Sequence, residues 1–138
     1  MSDDEKQIRI LIERWAAAVH VGDLAGVLTD HAPDIVMFDV PPPNEGIRGI
    51  DAYRDVWPGF FEWQAKGATF DIVSLEVAAS GDVAFAYALL LCGTAEDFAT
   101  DPAKRLRLTF GLRKQEERWV VVHEHHSFPD TSVESDNG

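Results

Sequence analysis

Basic residues are scarce in this chain. Twelve Lys and Arg stand against 24 Asp and Glu, a formal charge of −12. Such a surface repels phosphate backbones and anionic lipid, which argues against nucleic acid and membranes as partners. Its plainest consequence is solubility. Cysteine is scarcer still: Cys92 stands alone, so no internal disulfide forms and a reducing compartment is expected. No segment approaches the roughly 20 apolar residues of a membrane span. Met1 to Gln7 is acidic and polar, unlike a secretory leader. The expected location is the cytoplasm. There is no glycine-rich phosphate loop, no G-x-S-x-G elbow, no internal repeat and no low-complexity segment.

What is present is a chain of 138 residues, 46% of them hydrophobic, enough for one domain with its own core. Ser2 and Glu5 have capping-box spacing, and Ile8, Leu11, Ile12, Trp15 and Val19 then fall on one helical stripe. Gly22 ends that helix, and Asp23 can cap a shorter second one. Ile35 to Phe38 suits a strand. The following Val40 to Gly49, with Pro41, Pro42 and Pro43, reads as a loop. A third helix carries Ile50, Tyr53 and Trp57 on one side, with a kink or restart expected at Pro58-Gly59. From Ala68 onward the pattern is of strands. Phe70–Val77 comes first. Val83, Phe85, Tyr87, Leu89 and Leu91 alternate on the next strand, whose two faces both look buried. Ala95 to Ala103 reads as a polar loop. Leu106, Leu108, Phe110 and Leu112 alternate with polar residues, and Trp119 to Phe128 is the last strand. Helices first and long strands after predict an α+β domain, with a curved antiparallel sheet wrapped over N-terminal helices. One domain over 1–129 and a flexible tail over 130–138 are expected.

Three groups of residues can carry chemistry. Asp39 closes a buried-looking strand before a stiff proline loop, where a desolvated carboxylate can serve as a base; the plainer alternative is a loop-capping aspartate. His123-Glu124-His125-His126 is divided by strand alternation, with His123 and His125 on one face and Glu124 and His126 on the other. Two histidines at i and i+2 begin a metal site, but no third ligand motif exists, so no metal is expected. Glu124 and His126 facing a cavity would make a proton-transfer pair. Trp15, Tyr53, Trp57, Phe60, Phe61, Trp63 and Tyr87 form an aromatic set that is either core or pocket wall. Cys92 reads as an inert core thiol.

Arg14 to Leu24 and Phe38-Asp39 through Arg48-Gly49 resemble the opening of the nuclear transport factor 2-like superfamily. Trp119 to Ser127 resembles the closing strand of its SnoaL-like and ketosteroid-isomerase-related branches, and is similar to the last strand of the association domain of calcium/calmodulin-dependent kinase. The resemblance spans residues 5 to 129 and implies a cone with a pocket at its open end. It puts Asp39 at the place of the isomerase's catalytic carboxylate, Tyr87 and His126 among the pocket residues, and Glu124 on the same inward face. The isomerase's two oxyanion donors, a tyrosine and a protonated aspartate, are replaced by Trp15 and Phe110. Losing one such donor costs about 10²–10³ in rate, which argues against steroid isomerisation by that mechanism. The kinase module's pocket arginines correspond to Phe110 and His126 and are absent.

Two readings follow. In one, Asp39 is a base, His126 its acid or partner and Glu124 the group that orients His126, with Trp15, Tyr53, Trp57, Tyr87 and Phe110 shaping the substrate site. Proton-transfer chemistry on a small apolar or weakly polar ligand would need no metal or organic cofactor. In the other, the same cone only binds a ligand or dimerises. A homodimer is expected in either case, through an outer face bearing Arg107, Thr109, Trp119, Val121, His123 and His125.

Overall fold

The computed structural model describes residues 2–132. Helix α1 (Asp3–Val21) begins where the Ser2 side chain accepts the Glu5 N–H at 3.1 Å, and ends at Gly22, whose φ of 74° suits a residue without Cβ. Asp23 caps α2 (Leu24–Leu28) through the Gly26 N–H. Strand β1 (His31–Phe38) follows, longer at its start than the apolar run predicts. Within the proline-rich stretch, β2 (Ile47–Arg48) pairs briefly with β1. The third helix restarts as expected: α3 (Ile50–Asp55) gives way to α4 (Trp57–Gln64), with Pro58 in the first turn, where no N–H is needed.

The long strands β3 (Thr69–Ser80) and β4 (Val83–Gly93) form a hairpin. The segment expected to be a polar loop instead holds α5 (Ala95–Thr100). Thr94 and Asp97 form a reciprocal capping box there, with an aspartate in the place usually taken by glutamate. Strands β5 (Leu106–Gln115) and β6 (Arg118–Ser127) complete a six-stranded sheet in the order β2-β1-β6-β5-β4-β3. All its pairs are antiparallel except β1 with β6, which run parallel. The helices gather on one face, with α1 packed against β3, in the predicted α+β arrangement. Asp130 and Ser132 close a small turn; of the expected tail, 133–138 lie outside the described residues.

Two faces differ from the sequence reading. On β4 the inward residues are Ala84, Ala86, Ala88, Leu90 and Cys92, while Val83, Phe85, Tyr87 and Leu89 are exposed. The concave side beneath the helices has room for methyl groups, and the bulky alternation is turned outward. Tyr87 is therefore 54% exposed on the convex side and shapes no inner pocket. On β6 the register slips between Gly111 and Leu112, leaving Val122 as an extra residue. A bulge exchanges faces downstream of it. Trp119 and Val121 join the core, and the Trp119 indole donates to Asp4 at 3.0 Å. The outer patch predicted around Trp119 and Val121 does not exist. Val73, Val83, Phe85, Tyr87 and Leu89 on β3 and β4 are exposed instead.

Candidate functional site

The same bulge delivers Glu124 inward, opposite Phe110. A fully buried carboxylate is costly unless its oxygens are bonded. Here both are. Oε1 lies 2.8 Å from His126 Nε2. Oε2 accepts the Tyr53 hydroxyl at 2.8 Å and lies 2.7 Å from His31 Nε2. The parallel pairing of β1 with β6 brings in His31, and α3 brings in Tyr53. Trp15 on α1 donates its indole N–H to the Tyr53 oxygen at 3.0 Å. Burial alone would raise the Glu124 pKa, but the hydrogen bonds and charges of His126 and His31 outweigh it and hold the carboxyl at about 2. Burial, and then the charge of Glu124, pushes the Tyr53 hydroxyl well above its ordinary value, so it stays a donor.

An ionised carboxylate only accepts. His126 then donates from Nε2, which turns Nδ1 toward the cavity. Nδ1 lies 3.5 Å from Asp39 Oδ1. His31 lies between two acceptors, Glu124 at 2.7 Å and the Thr29 carbonyl at 2.8 Å. Asp39 has two engagements: its Oδ1 also accepts the Val40 N–H at 2.8 Å. Capping its own loop does not remove it from the site, because the side chain stays mostly covered and lines a cavity with His126.

That cavity measures about 430 Å³, within the range of small-molecule sites. It lies at one end of the sheet, walled by Trp57, Phe60, Trp63, Phe70 and Phe128 and roofed by the Val40-Pro41-Pro42 loop. Its charged or titratable members are Asp39, His126, Lys104 and Cys92. Burial raises the Cys92 thiol to about 11, so it is inert at neutral pH as expected, though it stands in the cavity wall.

Of the predicted residues, Asp39, His126 and Trp57 meet at the cavity. Glu124 reaches it only through His126. Trp15, Tyr53 and Phe110 are enclosed in the core and form no part of the cavity wall, a correction to the pocket expected for them. The inward faces of the helices are filled by their own ring-to-ring packing, Trp15 against Phe110, Phe70 and Trp57. His123 bonds the Val36 carbonyl at 2.7 Å and, with His125, flanks Phe38. Among the described residues no cluster is arranged to hold a metal ion. Sequence reasoning missed His31, Lys104 and Phe128. His31 becomes visible only once β1 is known to lie parallel to β6, and Lys104 only once the segment between α5 and β5 is known to reach the cavity.

A model of the SnoaL-like domain matches residues 8–131, nearly the whole chain. The chain belongs to the SnoaL-like family. This SnoaL-like domain is similar to the crystal structure of an NTF2-like protein of unknown function from Pseudomonas putida KT2440, with 37% identity over 91% of this chain and 87% of that one, at a TM-score of 0.80. An NTF2-like protein with a cystatin-like fold from Novosphingobium aromaticivorans shares the fold at 18% identity, covering 98% and 88% of the two chains, with a TM-score of 0.77. A candidate ketosteroid isomerase from Parabacteroides distasonis ATCC 8503 does so at 18% identity, 94% and 90% coverage and a TM-score of 0.70. No curated protein matches. No helix among the described residues is long and apolar enough to cross a membrane.

Proposed function

We propose that this SnoaL-like domain binds a small, largely apolar molecule and moves a proton on it without a cofactor, as an isomerase, cyclase or dehydratase does. The observation that carries this reading is His126, held between a buried carboxylate on Nε2 and a cavity-lining carboxylate 3.5 Å from Nδ1. Asp39 takes a proton from the bound molecule. His126 accepts or returns one at Nδ1, and Glu124 stabilises the imidazolium through Nε2–H, the role of the orienting acid in a catalytic triad. The aromatic wall excludes water, which strengthens these charges. The name of the Parabacteroides distasonis relative is compatible with this chemistry class and says nothing of the substrate here.

The test is hydrogen exchange into an enolisable apolar ketone such as 2-indanone, followed by NMR in deuterated buffer. The protein accelerates exchange, and Asp39→Asn keeps the fold and loses about 10²–10⁴ of that acceleration. Acceleration equal in the two proteins contradicts the assignment. Ketone binding without acceleration favours the other reading, a non-catalytic binding module, for which the Val40 N–H bond to Asp39 speaks.

The exposed Val73, Val83, Phe85, Tyr87 and Leu89 support a second proposal, that two copies pair through the convex faces of β3 and β4 as a homodimer. The location proposed is the cytoplasm, in keeping with the single reduced cysteine.

A further inference from the structure

We propose that the molecule taken by this cavity is an amphipathic monoanion, an aryl or alkyl carboxylate whose apolar body lies among the aromatic rings and whose charge is met by Lys104. The inference rests on reading the cavity as a ligand site and adds the class of ligand.

Lys104 is the one lysine or arginine in the cavity wall. In a chain with twice as many acids as bases, a cation facing an apolar cavity would be expected to have an acidic partner. Among the described residues it has none within ion-pair distance; the bridged lysines and arginines are Arg54, Lys114 and Arg118. Its ammonium rests instead over the Phe128 ring, 4.8 Å from the centroid. That contact is weak beside an ion pair and leaves the ammonium's donors free for an anion.

The position is built. The Lys104 N–H donates to the Asp101 carbonyl at 3.1 Å. The neighbouring Arg105 guanidinium turns back onto the Pro102 and Lys104 carbonyls at 3.3 and 2.8 Å, fixing the chain that carries the lysine. Lys104 and Phe128 also line a second, more polar groove of about 570 Å³, so the pair divides an apolar chamber from a polar one. Glu96, Asp97 and Asp101 lie in that outer groove. Asp97 accepts the Thr94 N–H at 2.8 Å and feels the Lys104 charge without forming an ion pair with it. One lysine, with no arginine fork in the cavity wall, suits a single carboxylate better than a phosphate.

The experiment compares 2-naphthoate with its neutral isostere 2-naphthamide, read by quenching of the tryptophans, of which Trp57 and Trp63 line the cavity. The protein binds naphthoate about tenfold more tightly than the amide, a difference of about 1.4 kcal/mol. Lys104→Met abolishes the preference and leaves amide affinity within about twofold, while Lys104→Arg keeps most of it. No preference in the parent protein, or a preference surviving in Lys104→Met, overturns the anion proposal. If the amide binds and Asp39-dependent exchange persists without a carboxylate preference, only the anion proposal falls. If neither probe binds, the ligand cavity and the anion proposal fall together.

Discussion

Each face of the sheet carries an exception to the usual rule. On the concave side, a carboxylate, two imidazoles and a phenol are buried together around Glu124. On the convex side, Phe85, Tyr87 and Leu89 stand in solvent. Hydrophobicity alone would have exchanged them. What decides the matter is curvature and register. The concave face has room for Ala84, Ala86 and Ala88 beneath the helices, and the bulge at Val122 aims Glu124 inward. The polar groups around Glu124 survive because they answer one another. The apolar groups outside call for cover by a second molecule.

The comparison breaks most sharply by mutation. Glu124→Ala leaves the donors of His31, Tyr53 and His126 facing an empty site, and costs about 3–5 kcal/mol in urea denaturation. Tyr87→Ser, on a face that carries no core contact, stays within about 0.5 kcal/mol for the monomer. Comparable losses for the two would mean the faces are not distinct. Glu124→Gln is milder in stability and sharper in chemistry. Its amide can turn NH₂ toward His126, which then accepts on Nε2 and carries its proton on Nδ1. Nitrogen-15 shifts of His126 would show that tautomer switch, together with a fall in proton exchange.

Acid sharpens the same contrast. The Glu124 pKa is lowered from 4.5 to about 2, so the unfolded chain binds this proton first. The contribution to stability is present in full above about pH 4.5 and is lost as pH falls toward about 2. In Glu124→Gln the part of the acid-induced loss due to this group disappears, which denaturation midpoints across that window would detect. The smallest effect belongs to the outer face. Phe85→Lys should shift sedimentation from dimer to monomer with ketone exchange unchanged; a parent protein already monomeric at micromolar concentration contradicts the pairing.

The sequence carried local signals faithfully and long-range ones poorly. Ser2, Gly22 and Asp23 mark helix ends by side-chain and backbone chemistry that needs no partner elsewhere in the fold. Asp39 and His126 could be placed together because the family resemblance carries both to the pocket. Which face of β4 turns inward was not legible, since both faces are apolar and only packing against the helices separates them. The extra residue at Val122 follows from its pairing with β5 and has no signature in Val120-Val121-Val122. His31 was missed for the same reason: its partner lies 93 residues away, across the one parallel strand pair.

The central claim is that Glu124 is ionised in the core and thereby fixes His126 with Nδ1 free toward the cavity. Carbon-13 NMR of the Glu124 carboxyl across pH tests it directly. The account predicts the shift of a carboxylate at neutral pH, unchanged on acidification until the protein approaches its own acid unfolding. A neutral carboxylic acid at neutral pH, as burial alone would dictate, would contradict it and would release His126 from the orientation on which the proposed chemistry depends.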